Sequence, residues 1–207
     1  MHSVSTIPPV STVQAAPVTH SVWKTSIRFT LVTAVLLGLG YPLLMTGIAS
    51  IFFPHQAEGS LIRLNDGTVI GSELLAQSFT ADKYFHPRPS AAGNGYDATA
   101  SSGSNLAQSS KTLVDRIQGS IDKLAAENPG KPVPIDLVTT SASGLDPDIT
   151  PDAAYFQAPR VAKARSLSED RIHQLIEQHI TGRQMGLLGE PRVNVLALNL
   201  DLDKIGK

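Results

Sequence analysis

The stretch Phe29 to Phe53, FTLVTAVLLGLGYPLLMTGIASIFF, runs 25 residues without a charged side chain. As an α-helix rising about 1.5 Å per residue it would reach roughly 37 Å, enough to cross a hydrocarbon core of about 30 Å with some tilt. A cleavable signal peptide has a shorter apolar core, about 7 to 15 residues, followed by a small-residue cleavage site. The length therefore predicts an uncleaved membrane anchor, placed at residues 24–54.

The flanks orient that helix. Lys24 and Arg28 precede it, whereas the first basic residue beyond it is Arg63. Positive charge is retained in the cytoplasm, which predicts a cytoplasmic N-terminus and an exterior remainder. Within the helix, Thr33, Gly40 and Gly47 recur at seven-residue spacing, about two turns, and predict a strip of small residues on which a partner helix can pack. Pro42 lacks an amide hydrogen and is expected to kink the helix there.

The 207 residues leave about 150 beyond the anchor, room for one globular domain at residues 55–207. The fold class expected is mixed α/β (α+β): a single transmembrane helix followed by one extracytoplasmic domain. With 17 basic and 18 acidic residues the net charge is -1, which gives no footprint for nucleic acid. Cysteine is absent, excluding disulfides, thiolate nucleophiles and Cys-type zinc sites. Residues 1–23 carry no Asp, Glu, Lys or Arg, lack apolar periodicity and read as a short disordered cytoplasmic tail.

Beyond the anchor, Asn65-Asp66-Gly67 is a turn between two short apolar segments and predicts a β-hairpin. Phe85 to Ser110 is rich in Gly, Ser, Ala and Asn. Its composition suits a flexible linker, while Tyr84, Phe85 and Tyr96 suit a loop pinned to a surface, and the residues leave both readings open. Leu113, Ile117, Ile121 and Leu124 form one helical face, ended by Asn128-Pro129-Gly130. Val133 to Thr140 reads as a strand, and Asp152 to Ala164 as a helix that Pro159 should bend or split. Ser168 caps a helix to Ile180, with Leu167 and Ile172 as a hydrophobic staple. Val193 to Leu202 reads as a closing central strand.

No catalytic constellation emerges. Of the six histidines, His173 and His179 share a helix but stand six residues, about 240 degrees, apart and cannot share a metal. Neither G-x-S-x-G nor G-x-x-x-x-G-K-[ST] occurs. Asp146, Asp148 and Asp152 lack the glycine and closing glutamate of a calcium loop and read as turn caps.

Several blocks carry a family resemblance: Tyr84-Phe85-His86 with Arg88-Pro89-Ser90-Ala91-Ala92-Gly93, Gly103-Ser104-Asn105-Leu106, and Ser141-Ala142-Ser143-Gly144-Leu145-Asp146-Pro147. Pro159-Arg160-Val161-Ala162-Lys163-Ala164-Arg165 and Gly189-Glu190-Pro191-Arg192-Val193-Asn194-Val195 follow in order. Together with the anchor, the chain resembles the C subunit, KdpC, of the bacterial Kdp potassium-transporting P-type ATPase.

The resemblance implies a non-catalytic accessory subunit of an ATP-driven potassium uptake complex in the inner membrane. The implied partners are an ATP-hydrolysing P-type subunit, a potassium-conducting channel-like subunit and a very small membrane subunit. It further implies a catalytic chaperone that raises the ATP affinity of the hydrolysing subunit. No cofactor is expected to bind this chain tightly; ATP acts through the complex and K+ passes through a partner. With the domain outside and ATP inside, the coupling is expected to be indirect. Were nucleotide touched directly, Ser143, Gly144 and Gln157 are the candidates. The resemblance also favours an ordered loop, and Phe85, Arg88, Ser90, Gly93 and Asn105 are the expected docking residues over the channel-like subunit. The alternative is a membrane-tethered periplasmic binding or sensor domain.

Overall fold

The structure, a computed structural model, describes residues 21–64 and 66–205. The expected tail lies outside these residues apart from Ser21 to Trp23, and Val22 and Trp23 already belong to the first helix. The chain divides into two compact units, with the boundary between Ala57 and Glu58.

The first unit is an apolar helix of 31 residues, Val22–Phe52, long and apolar enough to cross a membrane and with no residue buried. Two α-helical stretches, α1 (Val22–Val35) and α2 (Tyr41–Phe52), are joined by a wide π turn at Leu36–Gly40. There the Tyr41 N–H reaches back five residues to the Leu36 carbonyl. Pro42 has no N–H for the Gly38 carbonyl, so the disturbance expected of it takes the form of a widened turn just upstream. A four-residue helix α3 (Pro54–Ala57) comes next.

The second unit begins with an antiparallel hairpin, β1 (Leu61–Arg63) and β2 (Val69–Ser72), as the turn residues predict. Asp66 accepts from the Thr68 N–H at 2.9 Å; Asn65 lies outside the described residues. After a long strap without regular structure and α4 (Lys111–Glu127), the helices α5 (Pro151–Arg165), α6 (Glu169–His179) and α7 (Val195–Ile205) pack against the central strand of a three-stranded antiparallel sheet. Its central strand β5 (Arg192–Asn194) pairs with β3 (Asp148–Ile149) and β4 (Ile180–Thr181). With a small antiparallel sheet beside helices, the mixed fold is of the α+β kind.

Three local expectations are corrected. Val133 to Thr140 is no strand but a 3-10 turn at Ile135–Leu137. Pro132 and Pro134 withhold two ladder donors, and the buried Asp136 carboxylate accepts instead from the Thr150 N–H at 2.6 Å. Pro159 does not split α5, which continues to Arg165. Ala153, Ala154, Ala158, Val161 and Ala162 are buried along it, and this packing outweighs the missing donor. The closing strand stops at Asn194, whose side-chain oxygen accepts from the Ala197 N–H at 3.0 Å and starts α7. Val195, Leu196, Leu198, Asn199 and Leu202 are buried, a helical spacing.

Ser168 does cap α6, accepting from the Arg171 N–H at 3.3 Å, and Ile172, Leu175 and Ile176 are its buried residues. The core joins these to Phe85, Ile149, Val161, Val193, Leu198 and Leu202.

Candidate functional site

The strap between β2 and α4 is an ordered loop fastened at three places. The first is Tyr84-Phe85-His86. Phe85 is fully buried, and its backbone is held from both sides by the Asn199 amide on α7: the Phe85 N–H donates to Oδ1 at 2.8 Å, and Nδ2 donates to the Phe85 carbonyl at 2.9 Å. Gln157 on α5 repeats the arrangement at His86, accepting from its N–H at 2.8 Å and donating to its carbonyl at 3.1 Å.

Two arginines on α5 complete this fastening. Arg160 donates to the carbonyls of Asp82 at 2.6 Å and Tyr84 at 3.0 Å, and to Gln157 Oε1 at 2.8 Å. Its Nε faces Glu127 at 3.5 Å. Burial pulls the Arg160 guanidinium below its ordinary value, while Glu127 and Asp82 act the other way. Arg165 donates to the Lys83 carbonyl at 2.8 Å and pairs with Asp203 at 2.6 Å. The Tyr84 hydroxyl donates to the same carboxylate at 3.0 Å, and the Tyr84 ring lies 5.0 Å from the Arg165 guanidinium.

The second fastening is Arg88 to Ser90. Arg88 pairs with Asp146 at 3.0 Å and donates to Thr139 Oγ1 at 3.3 Å. Ser90 Oγ donates to the Gly144 carbonyl at 2.6 Å and accepts from the N–H groups of Ala92 and Tyr96. The Tyr96 hydroxyl donates to the Arg88 carbonyl at 2.9 Å, and burial raises its pKa.

At the third, the Ser102 N–H donates to the Ser143 carbonyl at 3.0 Å, and a Cβ on Gly103 would stand 3.0 Å from the Ala142 carbonyl oxygen. Gly144, at φ +68, passes so close that a Cβ there would lie 2.5 Å from the Ser102 carbonyl oxygen.

The expected docking residues therefore divide. Phe85 is core, and Arg88 and Ser90 are committed to internal bonds. Gly93 turns at φ +53 against Asp97, and Asn105, at φ +51, is exposed and donates to Ser102 Oγ at 3.2 Å. The expected nucleotide residues divide as well. Ser143 is exposed and Gly144 buried in one turn, while Gln157 is buried on α5. Both ends of the Gln157 amide are occupied, Nε2 donating also to the Ala153 carbonyl at 3.2 Å.

Elsewhere, His173 meets Tyr155 edge to face at 5.2 Å, and His179 contacts Asp201 at 3.0 Å. Among the described residues no group of three or more His, Asp or Glu could hold a metal ion. Asp148 pairs with Arg192 at 3.0 Å, but burial raises its carboxyl above the ordinary range. A groove of about 700 Å³ is lined by Val133, Pro134, Asp152, Tyr155, Glu169 and His173 among others. In the apolar helix, the wide turn Leu36–Gly40 contains Gly40, the middle residue of the expected Thr33, Gly40 and Gly47 strip. Thr33 bonds its own helix, its hydroxyl donating to the Phe29 carbonyl at 2.8 Å.

The quoted sequence blocks thus meet in space, strap against α5, α7 and the Ser141–Pro147 turn. A family model described as "KdpC: K+-transporting ATPase, c chain" matches residues 23–204. The chain belongs to the KdpC family. Among its relatives, the potassium-transporting ATPase KdpC subunit of Acidobacterium capsulatum is 58% identical over 183 residues, 88% of this chain and 97% of that protein. The KdpC subunits of Koribacter versatilis and of a Rhodopseudomonas palustris strain are 56% and 57% identical, over 86% and 87% of this chain and 92% and 96% of theirs.

In this KdpC-family chain, sequence reasoning passed over one feature. Between β4 and β5 a turn exposes Met185 (94%), Leu187 (80%) and Leu188 (62%). The available signal was a run of apolar residues set among Gly182, Gly186 and Gly189, where neither strand nor helix periodicity accounts for them.

Proposed function

We propose that the chain is the non-catalytic accessory subunit of an ATP-driven high-affinity potassium uptake complex. Its single helix anchors it in the inner membrane with the N-terminus in the cytoplasm, and residues 55–207 stand outside. The observation that carries this reading is the extent of the family match, which takes in the apolar helix and the domain after it together. The partners are an ATP-hydrolysing P-type subunit, a potassium-conducting channel-like subunit and a very small membrane subunit.

The chain raises the ATP affinity of the hydrolysing subunit indirectly, as a coupling free energy passed through partner helices. The committed amide of Gln157 and the burial of Gly144 support an indirect route, since neither is free to receive a nucleotide. The test compares the ATP concentration for half-maximal hydrolysis by the purified assembly with and without this chain. The expected result is weaker apparent ATP affinity without it, and no photo-crosslink from an azido-ATP to this chain when it is present. Equal ATP dependence in the two preparations would refute the chaperone role.

A further inference from the structure

The groove of about 700 Å³ lies between residues 131–136 and the N-terminal parts of α5 and α6, and its volume is that of a pocket for a small organic molecule. Val133, Pro134, Pro159 and the nearly buried Phe156 give it apolar walls. Tyr155 of α5 and His173 of α6 bring two aromatic rings to it, edge to face with centres 5.2 Å apart. The charge is one-sided: Asp136, Asp152 and Glu169 line the groove with one lysine, Lys131, and no arginine. Asp136 is engaged, accepting from the Thr150 N–H at 2.6 Å. Asp152 and Glu169 are exposed and, among the described residues, take part in no side-chain hydrogen bond or ion pair. Asp146, Asp148 and Asp203, by contrast, each face an arginine. A helix dipole favours a carboxylate in its first turn. That accounts for Asp152 or Glu169 singly, but not for both lining one aromatic and apolar groove.

We propose that this groove is a binding site for a small organic cation, an ammonium group carried on an apolar body. The two uncommitted carboxylates offset its charge, the aromatic rings attract it through their π-electron faces, and the valine and proline walls cover the body. A metal ion would leave those walls unused, and among the described residues no group of three or more His, Asp or Glu could hold one. An anion would meet the carboxylates of Asp152 and Glu169 and be repelled. The site goes beyond the accessory-subunit reading and does not depend on it, because every group it uses belongs to this chain.

The natural absence of cysteine allows a single reporter. Ile135→Cys, at an exposed residue of the groove lining, carries a trifluoromethyl label in the full-length chain in maltoside detergent. Val114→Cys, exposed on α4 outside the groove, carries the same label as a control. Fluorine NMR follows titration with benzyltrimethylammonium at constant ionic strength. The expected result is a saturable shift at the Ile135→Cys label, half complete on the order of 1 mM, and none at Val114→Cys. Benzyl alcohol and benzoate should shift neither label. Asp152→Asn with Glu169→Gln should raise the half-saturating concentration at least about tenfold, whereas Asp122→Asn with Asp170→Asn, an equal loss of charge away from the groove, should leave it unchanged. An equal response to benzyl alcohol would mean an apolar groove without charge selection. Equal weakening by the two pairs of substitutions would mean attraction to the acidic surface as a whole, and no saturation below about 20 mM would mean no site; each result overturns the proposal. A label already shifted without the probe in phosphatidylcholine nanodiscs, but not in phosphatidylglycerol ones, would assign the groove to a lipid headgroup and overturn it too.

Discussion

Asn199 and Phe85, 114 positions apart, are joined by two hydrogen bonds of one side-chain amide to one residue's backbone, 2.8 and 2.9 Å, at a site closed to solvent. This clasp seats the Phe85 ring in the core and fixes where the strap begins. Asn199→Ala leaves a buried N–H and a buried carbonyl without partners, at a cost of about 3 kcal/mol. For a domain of about 150 residues that lowers the melting midpoint by roughly 6–12 °C. Thermal unfolding of the variant in detergent measures it, and a shift under about 2 °C would mean the clasp is not an important constraint.

Gly144 carries the close approach of the Ser143-Gly144 turn to the strap. Gly144→Ala places a Cβ 2.5 Å from the Ser102 carbonyl oxygen at a positive φ, whereas Gly130→Ala meets a positive φ with open space around it. The first should cost at least about 2 kcal/mol and the second about 1. Limited proteolysis should open the strap between residues 90 and 105 in Gly144→Ala and leave Gly130→Ala as resistant as the wild type.

Acid should loosen the strap through His86. Burial first, then the positive charge of Arg160, hold its imidazole below the ordinary value, against the Ala81 carbonyl, Glu127 and Asp82. The unfolded chain takes up its proton at about pH 6.5 while the folded chain resists until lower pH, so stability falls as pH drops through that value. His86→Gln keeps the backbone bonds to Gln157 and removes this proton. Melting midpoints between pH 7.5 and 5.0 should decline less steeply in the variant; superimposable curves would contradict the assignment.

The apolar helix carries Gly40 within its wide turn and Gly47 two turns further on. Gly40→Leu and Gly47→Leu should weaken recovery of the complex by crowding a partner helix. Recovery unchanged from wild type in both variants would remove the packing strip.

Much of the architecture is legible in the residues because it depends on local rules. The apolar run, the Asp66-Gly67 turn and the Ser168 cap each act over a few positions. Val133 to Thr140 and Val195 to Leu202 misled because apolar content was read without its punctuation: Pro132 and Pro134 deny a ladder, and Asn194 is an N-cap before helical spacing. The strap was legible as ordered only through the family resemblance. Its fasteners, Asn199, Gln157, Arg160 and Arg165, lie more than 70 positions away and make bonds that no local pattern signals. Phe85 and Arg88 looked like surface groups because an isolated aromatic and an isolated arginine carry no sign of where they point.

The most direct measurement is recovery of the full-length chain from its native membrane in mild detergent, with identification of the proteins that accompany it. The account predicts an ATP-hydrolysing P-type subunit and a multi-span channel-like subunit in fixed proportion to this chain. Recovery of the chain alone, under conditions where those subunits are expressed and stay intact, would contradict it.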